Sequence, residues 1–347
     1  MDFNSNQYRD LRLAFSKNEF DALPSNCREC ATSPTSMADF YRQDFHKERY
    51  REVIGMFDTE SGHMQDMRLT QFLVNISNKC NQACRMCHPE NSDIVAAHRK
   101  SMGLSVNGSI KKRASGQFWT ELKTQLPYLR EISFHGGEPI LNAETLEVLR
   151  LALPYKDSLN ILFMTNGSTN RFVDGSSLED WANKFPSFSV PYSIDGVPEV
   201  NEYIRKGANT AAAYKNLKAL RKTAPHSRIT IRHTTSNLNV ARLPEFLETV
   251  NDLSGGAQDW IATDKVITPH IYSPSNLPPQ LKKEAFQALA EYHAKAHDAR
   301  FKELAKSNIR YLFDNEFNPS LWAEFKKENG IKDKFYEESP LLLRPLA

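Results

Sequence analysis

From residue 71 onward the chain repeats one pattern about six times: a short apolar run rich in β-branched residues, then an amphipathic stretch at helical spacing. The apolar runs fall at 71–77, 131–135, 159–165, 188–194, 228–235 and 265–272. Helical stretches lie at 117–126, 143–153, 177–185, 208–223 and 241–253; in the first, Phe118, Leu122 and Leu126 recur every four residues. Strands that alternate with helices pair in parallel, because each helix carries the chain back to the end where the next strand starts. Such crossovers are right-handed. An α/β protein is expected, its strands forming an open parallel sheet or a partial barrel. In either case a ligand site belongs at the carboxyl ends of the strands.

The flanks read differently. Residues 1–69 are polar and charge-rich, with Phe15, Phe20 and Leu23 as packing points among helices and loops. The stretch 88–115 reads as a long polar loop with at most one short helix. After the turn Ser-Pro-Ser-Asn-Leu-Pro-Pro a helix begins near Gln280, with Leu281, Ala285, Leu289, Tyr292 and Ala296 along one side. Three regions are expected: an accessory region at 1–69, the alternating core at 70–272, and a mainly helical extension at 273–347.

Charge and composition exclude several classes. A net charge of +2 over 347 residues gives no electrostatic footprint for nucleic acid or an anionic membrane. No apolar run approaches the length of a bilayer span. The polar first residues are unlike a secretory signal, and five cysteines, three of them clustered, do not make a disulfide framework. A cytoplasmic location is expected.

The clustered cysteines carry the chemistry. Cys80, Cys84 and Cys87 are spaced C-x3-C-x2-C directly after the first strand. Three thiolates this close can hold three irons of a cubane cluster and leave the fourth open for a ligand. The competing reading is zinc completed by His88 or another residue, although zinc ligands usually come as two separated pairs. Cys27 and Cys30 form an isolated C-x2-C that could bind metal, form a redox pair or be incidental.

At these residues the chain resembles the radical S-adenosylmethionine (SAM) superfamily, whose hallmark is this cysteine spacing after the first strand of a partial (β/α)6 barrel with parallel strands. The resemblance implies one 4Fe–4S cluster on Cys80, Cys84 and Cys87, with SAM chelating the fourth iron. Met86, before the last cysteine, stands where many members place an aromatic residue beside adenine; a backbone role is left to it.

Further motifs fall on the same rim. In His-Gly-Gly-Glu-Pro, ending the second strand, Gly136 and Gly137 permit close backbone approach, and Glu138 could accept a hydrogen bond from an ammonium group. This segment, with Pro139, is similar to the family's Gly-Gly-Glu-Pro, which binds the SAM amino group. The third and fourth strands end in Thr165-Asn166 and in Ser193-Ile194-Asp195. Read alone these are ordinary turn and cap residues; the resemblance makes Thr165, Asn166, Ser193 and Asp195 contacts of the SAM ribose and carboxylate. Arg205 resembles a family arginine that pairs with the SAM carboxylate, a task that suits a guanidinium fork.

Substrate-facing candidates are fewer. Alternation along 228–235 turns Ile229 and Ile231 toward helices and Arg232 and Thr234 toward the interior, where a buried Arg232 would need a substrate carboxylate or an internal partner. His270 and Tyr272, at the end of the expected sixth strand, are the other candidates. Residues 260–292 look like the end of twitch-type members, a branch related to the SPASM group, yet no cysteine follows Cys87, so an auxiliary C-terminal cluster is not expected.

The reading is a radical SAM enzyme: reductive cleavage of SAM yields a 5′-deoxyadenosyl radical that abstracts hydrogen from a substrate, with analogy leaning to a peptide or protein. A low-potential donor such as flavodoxin or ferredoxin is implied. The alternatives are a non-catalytic or regulatory iron–sulfur protein, against which the full set of rim motifs speaks, and a zinc-stabilised binding module.

Overall fold

The computed structural model describes residues 4–25, 27–28, 55–65, 68–106, 114–254, 261–266, 268–314 and 316–340. They form two compact units, 1–70 and 71–347.

In the first unit, helix α1 (Asn6–Lys17) ends at Asn18, whose left-handed backbone closes the last turn. Ala14 and Leu23 are buried together, and Leu11, Phe15, Phe20 and Cys27 pack around them. Cys27 therefore acts as a small apolar residue here; Cys30 lies outside the described residues. The Arg9 and Arg12 side chains donate to the carbonyls of Ser61 and Gly62, fastening the 58–62 turn to α1.

The second unit is built on six parallel strands: β1 (Gln71–Val74), β2 (Glu131–Phe134), β3 (Asn160–Phe163), β4 (Ser187–Ser193), β5 (Arg228–Thr235) and β6 (Ile261–Lys265). Their order in the sheet is their order in the chain. Every crossover thus steps the same way, which curls a sheet into part of a barrel; a doubly wound sheet would reverse direction midway.

The helices between the strands are α2 (Asp93–Ser101), α3 (Gly116–Gln125), α4 (Ala143–Ala152), α5 (Leu178–Ala182), α6 (Pro198–Ile204), α7 (Thr210–Thr223) and α8 (Leu243–Ser254). One face of the sheet is apolar and covered: Ile132, Phe134, Ile161, Phe163, Phe188, Val190, Tyr192 and Ile231 are all but inaccessible. Phe163 lies at its centre, touching Phe134, Phe172 and Phe188 at ring distances of 5.5, 5.6 and 6.3 Å. Truncating such a ring costs roughly 3–5 kcal/mol. The other face carries half-buried polar side chains, among them Ser133, Ser189, Thr230, Arg232 and Thr234.

One boundary differs from expectation. The last strand ends at Lys265 instead of beginning there; Ile261–Lys265 pairs with Ile231–Thr235. Pro269 has no N–H for a ladder, so the β-branched run before it cannot continue the sheet, and His270–Tyr272 is a helical turn. Within 88–115 the described residues include a short helix, α2, capped by Ser92, whose hydroxyl accepts from the Val95 amide. Beyond the sheet come α9 (Pro279–Lys295), α10 (Ala299–Leu312) and α11 (Pro319–Tyr336), all within the second unit. No described helix is long and apolar enough to cross a membrane.

Candidate functional site: the cysteine loop and its rim

The loop after β1 is held from both sides. The Asp93 carboxylate accepts from the Cys80 amide at 3.1 Å, while the Asp93 amide donates to the Asn78 carbonyl at 2.9 Å. Ser92 donates to the Gln82 carbonyl. Further on, Ala83 and Cys84 pair antiparallel with Lys206 and Arg205 in a two-residue ribbon. Each thiol keeps some accessible surface yet lies deep among protein atoms. Burial, with each neighbouring sulfur adding to it, pushes Cys80 and Cys87 up to about 12. Burial also raises Cys84, although the Arg205 guanidinium works against it. The free thiols are therefore protonated at neutral pH, and a metal group would displace their protons.

Among the described residues no three His, Cys, Asp or Glu side chains gather around one point to hold a single ion. The three sulfurs do lie close enough to shift one another's ionisation. Asn78, 8% exposed and two residues before Cys80, leaves its Nδ2 without a partner. Three soft donors, a nearby guanidinium and an unused buried amide donor fit a sulfur-rich anionic cluster.

The glycine turn closes onto this loop. Gly136 and Gly137 have φ of +77° and +48°. A β-carbon on Gly137 would stand 2.3 Å from the Lys79 carbonyl oxygen. That closeness lets the Glu138 amide donate to the same oxygen at 2.8 Å. Pro139 is buried and opens the helical turn that follows. The Glu138 carboxylate, 1% exposed, accepts from the Thr165 hydroxyl at 2.8 Å and the Asn166 amide at 2.7 Å. Burial raises its pKa to about 7 against the pull of those hydrogen bonds. Asn166 in turn donates to the Asn81 side chain at 2.8 Å, and Gln82 donates to Ser168 at 2.8 Å. Asn81 and Gln82 were missed in the sequence because they sit between the cysteines as unremarkable polar residues; their place in the x3 spacer is the only signal.

The fourth strand supplies the other side. Asp195 is fully buried. It accepts from Arg205 Nε at 2.7 Å and from the Thr234 amide at 2.8 Å. Burial works to lower the Arg205 pKa, but Asp195 and the Cys84 sulfur outweigh it and the net shift is upward. Arg205 Nη1 stands 3.9 Å from Cys84 Sγ. Ser193 is half-buried beside this pair, its amide donating to the Thr165 carbonyl. Cys84, Met86, Cys87, Arg205, Thr234 and Thr268 line a cleft of about 400 Å³. A larger cleft of about 790 Å³, lined by Glu245, Glu248, Tyr292 and Asp298 among others, contains none of these groups; the chemistry belongs to the smaller one.

The substrate candidates separate. Ile229 and Ile231 face the helices as expected, and Arg232 and Thr234 lie on the opposite face. Arg232 is not buried: its side chain is 41% exposed and bonds Asp264 at 2.6 Å. The acidic partner came from β6, whose position the sequence had misplaced. His270 is exposed. Tyr272 is fully buried, receives a hydrogen bond from Lys332 and packs edge-on against Phe325. It anchors the last helix.

Taken together these features define a parallel α/β protein of partial-barrel type with a thiol loop, a glycine turn and an Arg–Asp pair at the strand ends. The model of the Radical SAM superfamily matches residues 74–250, and the chain belongs to that superfamily, whose enzymes work with an iron–sulfur cluster and SAM. No curated protein matches the chain. Among solved structures, native anSMEcpe with bound AdoMet is similar at 18% identity and a TM-score of 0.45, covering 64% of this chain and 59% of that one. Streptococcus suis SuiB bound to S-adenosylmethionine is similar at 12% identity and a TM-score of 0.44, covering 84% and 64%. SuiB bound to the precursor peptide SuiA is similar at 11% and 0.43, covering 95% and 72%. The chain thus spans about three fifths of the length of the anSMEcpe structure.

Proposed function

We propose that this chain is an enzyme that cleaves SAM at a 4Fe–4S cluster held by Cys80, Cys84 and Cys87, with SAM completing the fourth iron. The observation that carries the reading is the ribbon pairing of Cys84 with Arg205, which sets thiol, guanidinium and the buried Asp195 around one cleft. When bound, cluster and SAM supply a 5′-deoxyadenosyl radical able to abstract hydrogen from a substrate.

The chain's own residues have separable tasks. Glu138 is ready to take an ammonium group: its two oxygens accept one short hydrogen bond each, and a carboxylate has lone pairs to spare. Thr165 and Asn166 hold that carboxylate in place and so act on the SAM amino group at one remove. Asp195 takes Arg205 Nε and Nη1 faces Cys84 Sγ, leaving Nη2 for the SAM carboxylate. The role of Asp195 is to aim Arg205, its two oxygens accepting from Arg205 Nε and the Thr234 amide. Met86 lines the cleft and offers backbone groups and a flexible thioether to the adenine side. Gly136 and Gly137 let these groups approach without side chains between them.

For the substrate we infer a peptide or protein, on the family resemblance, and for the reductant a low-potential donor such as flavodoxin or ferredoxin. The test is metal analysis after anaerobic reconstitution. About four irons with matching sulfide per chain are expected, and Cys84→Ala should remove most of both. One zinc with no sulfide would end the iron reading.

A further inference from the structure

The last helix, α11, has an unusual buried face. Phe325, Asn329, Lys332 and Asp333 are its buried residues, and three of these four are polar. Asn329, Lys332 and Asp333 are 6%, 4% and 6% exposed. A helix that only needed to cover a core would bury an apolar stripe here. Buried charge costs desolvation and is a poor source of stability, but it fixes which groups meet.

What these residues meet is the cysteine loop. Arg85, between Cys84 and Cys87, has no exposed side-chain surface. Its guanidinium donates to the Tyr203 carbonyl at 2.9 Å and to Asn329 Oδ1 at 3.0 Å. It pairs with Asp333 at 2.8 Å and with Glu338 at 2.5 Å, just past the helix. It also lies 3.9 Å over the Tyr203 ring. The Tyr203 hydroxyl donates to Asp333 at 2.7 Å and accepts from Asn329 at 2.8 Å, so the counter-ions are themselves held. Lys332 Nζ donates to the Arg85 carbonyl at 2.7 Å, to the Tyr272 hydroxyl at 2.7 Å and to Glu328 at 2.6 Å. Glu328 is bound in turn by Arg99 of α2, the helix that follows the cysteine loop. Both the side chain and the backbone of Arg85 are thus gripped by residues far along the chain.

We propose that α11 is a positioning element of the reaction: through Asp333, Asn329 and Lys332 it clamps Arg85 and thereby sets the Cys84–Cys87 segment in the shape that receives the cluster. The inference rests on the cysteine loop being the cluster site, but its first readout does not need the cluster. None of the three residues would touch cluster or cofactor; they act through Arg85.

The test compares the full chain with Asp333→Asn and Lys332→Met by hydrogen exchange of the apo-protein and by iron and sulfide content after reconstitution. The amides of residues 84–87 should exchange faster while the β-sheet amides stay protected. Cluster affinity should fall about tenfold, the usual scale for losing a group that orients metal ligands. Asp333→Glu, which restores the charge, should recover part of both losses. Loop exchange and iron uptake equal to wild type, with only a lower melting temperature, would overturn the proposal. Tyr203→Phe removes one hydroxyl and keeps the ring under Arg85, so it serves if the other variants lose protection throughout; a wild-type loop in Tyr203→Phe would then overturn the clamp. If the wild-type chain took up no iron, the cluster assignment would fail while the exchange data still judged the clamp.

Discussion

The Glu138 amide donates to the Lys79 carbonyl oxygen at 2.8 Å, joining the glycine turn to the residue before the first cysteine. Two loops from neighbouring strands are thereby one structure. Gly137→Ala should break it. Its β-carbon would meet that carbonyl, a backbone atom, at 2.3 Å, and φ is +48°. The left-handed strain alone is about 1–3 kcal/mol, before the lost hydrogen bond. Gly136→Ala should cost less, because its obstacle is the Asn75 side-chain oxygen, which has no partner to lose. Urea unfolding of both apo-variants checks the order; a milder Gly137→Ala would contradict it.

Asp195→Asn should be costly for a different reason. It leaves the Arg205 guanidinium, only 15% exposed, without its counter-charge. Breaking a buried ion pair from one side costs roughly 3–5 kcal/mol. Calorimetric titration of the reconstituted variant with SAM should also show weaker binding, since Arg205 is no longer aimed. Unchanged affinity would mean that Arg205 does not meet the cofactor.

Arg232→Ala should do little to stability. The Arg232–Asp264 pair is 41% and 51% exposed on its two sides, and exposed pairs contribute at most about 1 kcal/mol. Any large effect should appear in turnover of substrate, not in the melting temperature. A loss of several degrees in the apo-variant would show that the pair holds β5 to β6.

Two buried groups make opposite contributions to the pH profile. Burial lifts Glu138 from 4.5 to about 7. The folded chain then holds a proton that the unfolded chain has released, so this contribution falls as pH rises from 4.5 to 7. Burial lowers His233 from 6.5 to about 4. Here the unfolded chain binds the proton first, and stability is lost as pH falls from 6.5 to 4. Each effect is on the order of 3 kcal/mol at full extent, so the two largely cancel between pH 4.5 and 6.5. Glu138→Gln should uncover the His233 slope, with stability rising from pH 4 to 6.5. His233→Leu should uncover the falling slope from 4.5 to 7. Urea unfolding of the apo-proteins across this range measures both; profiles parallel to wild type would refute the assignment.

The sheet was legible because its apolar runs face helices on one side only and are punctuated by turns. The rim was legible because cysteine, glycine and proline impose spacing and φ values that leave a trace in the sequence. The sixth strand falls earlier than expected because Val266 and its neighbours are β-branched and look like strand, while Pro269 has no N–H for a ladder. Tyr272, expected at a strand end, accordingly lies in a helical turn. The clamp on Arg85 was not legible: its partners Asn329, Lys332 and Asp333 are polar residues of a kind mostly found exposed, and only tertiary packing shows that they are buried.

The central claim is that Cys80, Cys84 and Cys87, with Glu138 and Arg205 beside them, form a site that cleaves SAM. The direct measurement is anaerobic incubation of the reconstituted chain with SAM and dithionite, followed by chromatography for 5′-deoxyadenosine. The account predicts 5′-deoxyadenosine and methionine in equal amounts from wild type, and neither from Cys80→Ala, Cys84→Ala or Cys87→Ala. A chain that binds iron and sulfide yet releases no 5′-deoxyadenosine, or a triple cysteine variant that still releases it, would contradict the account.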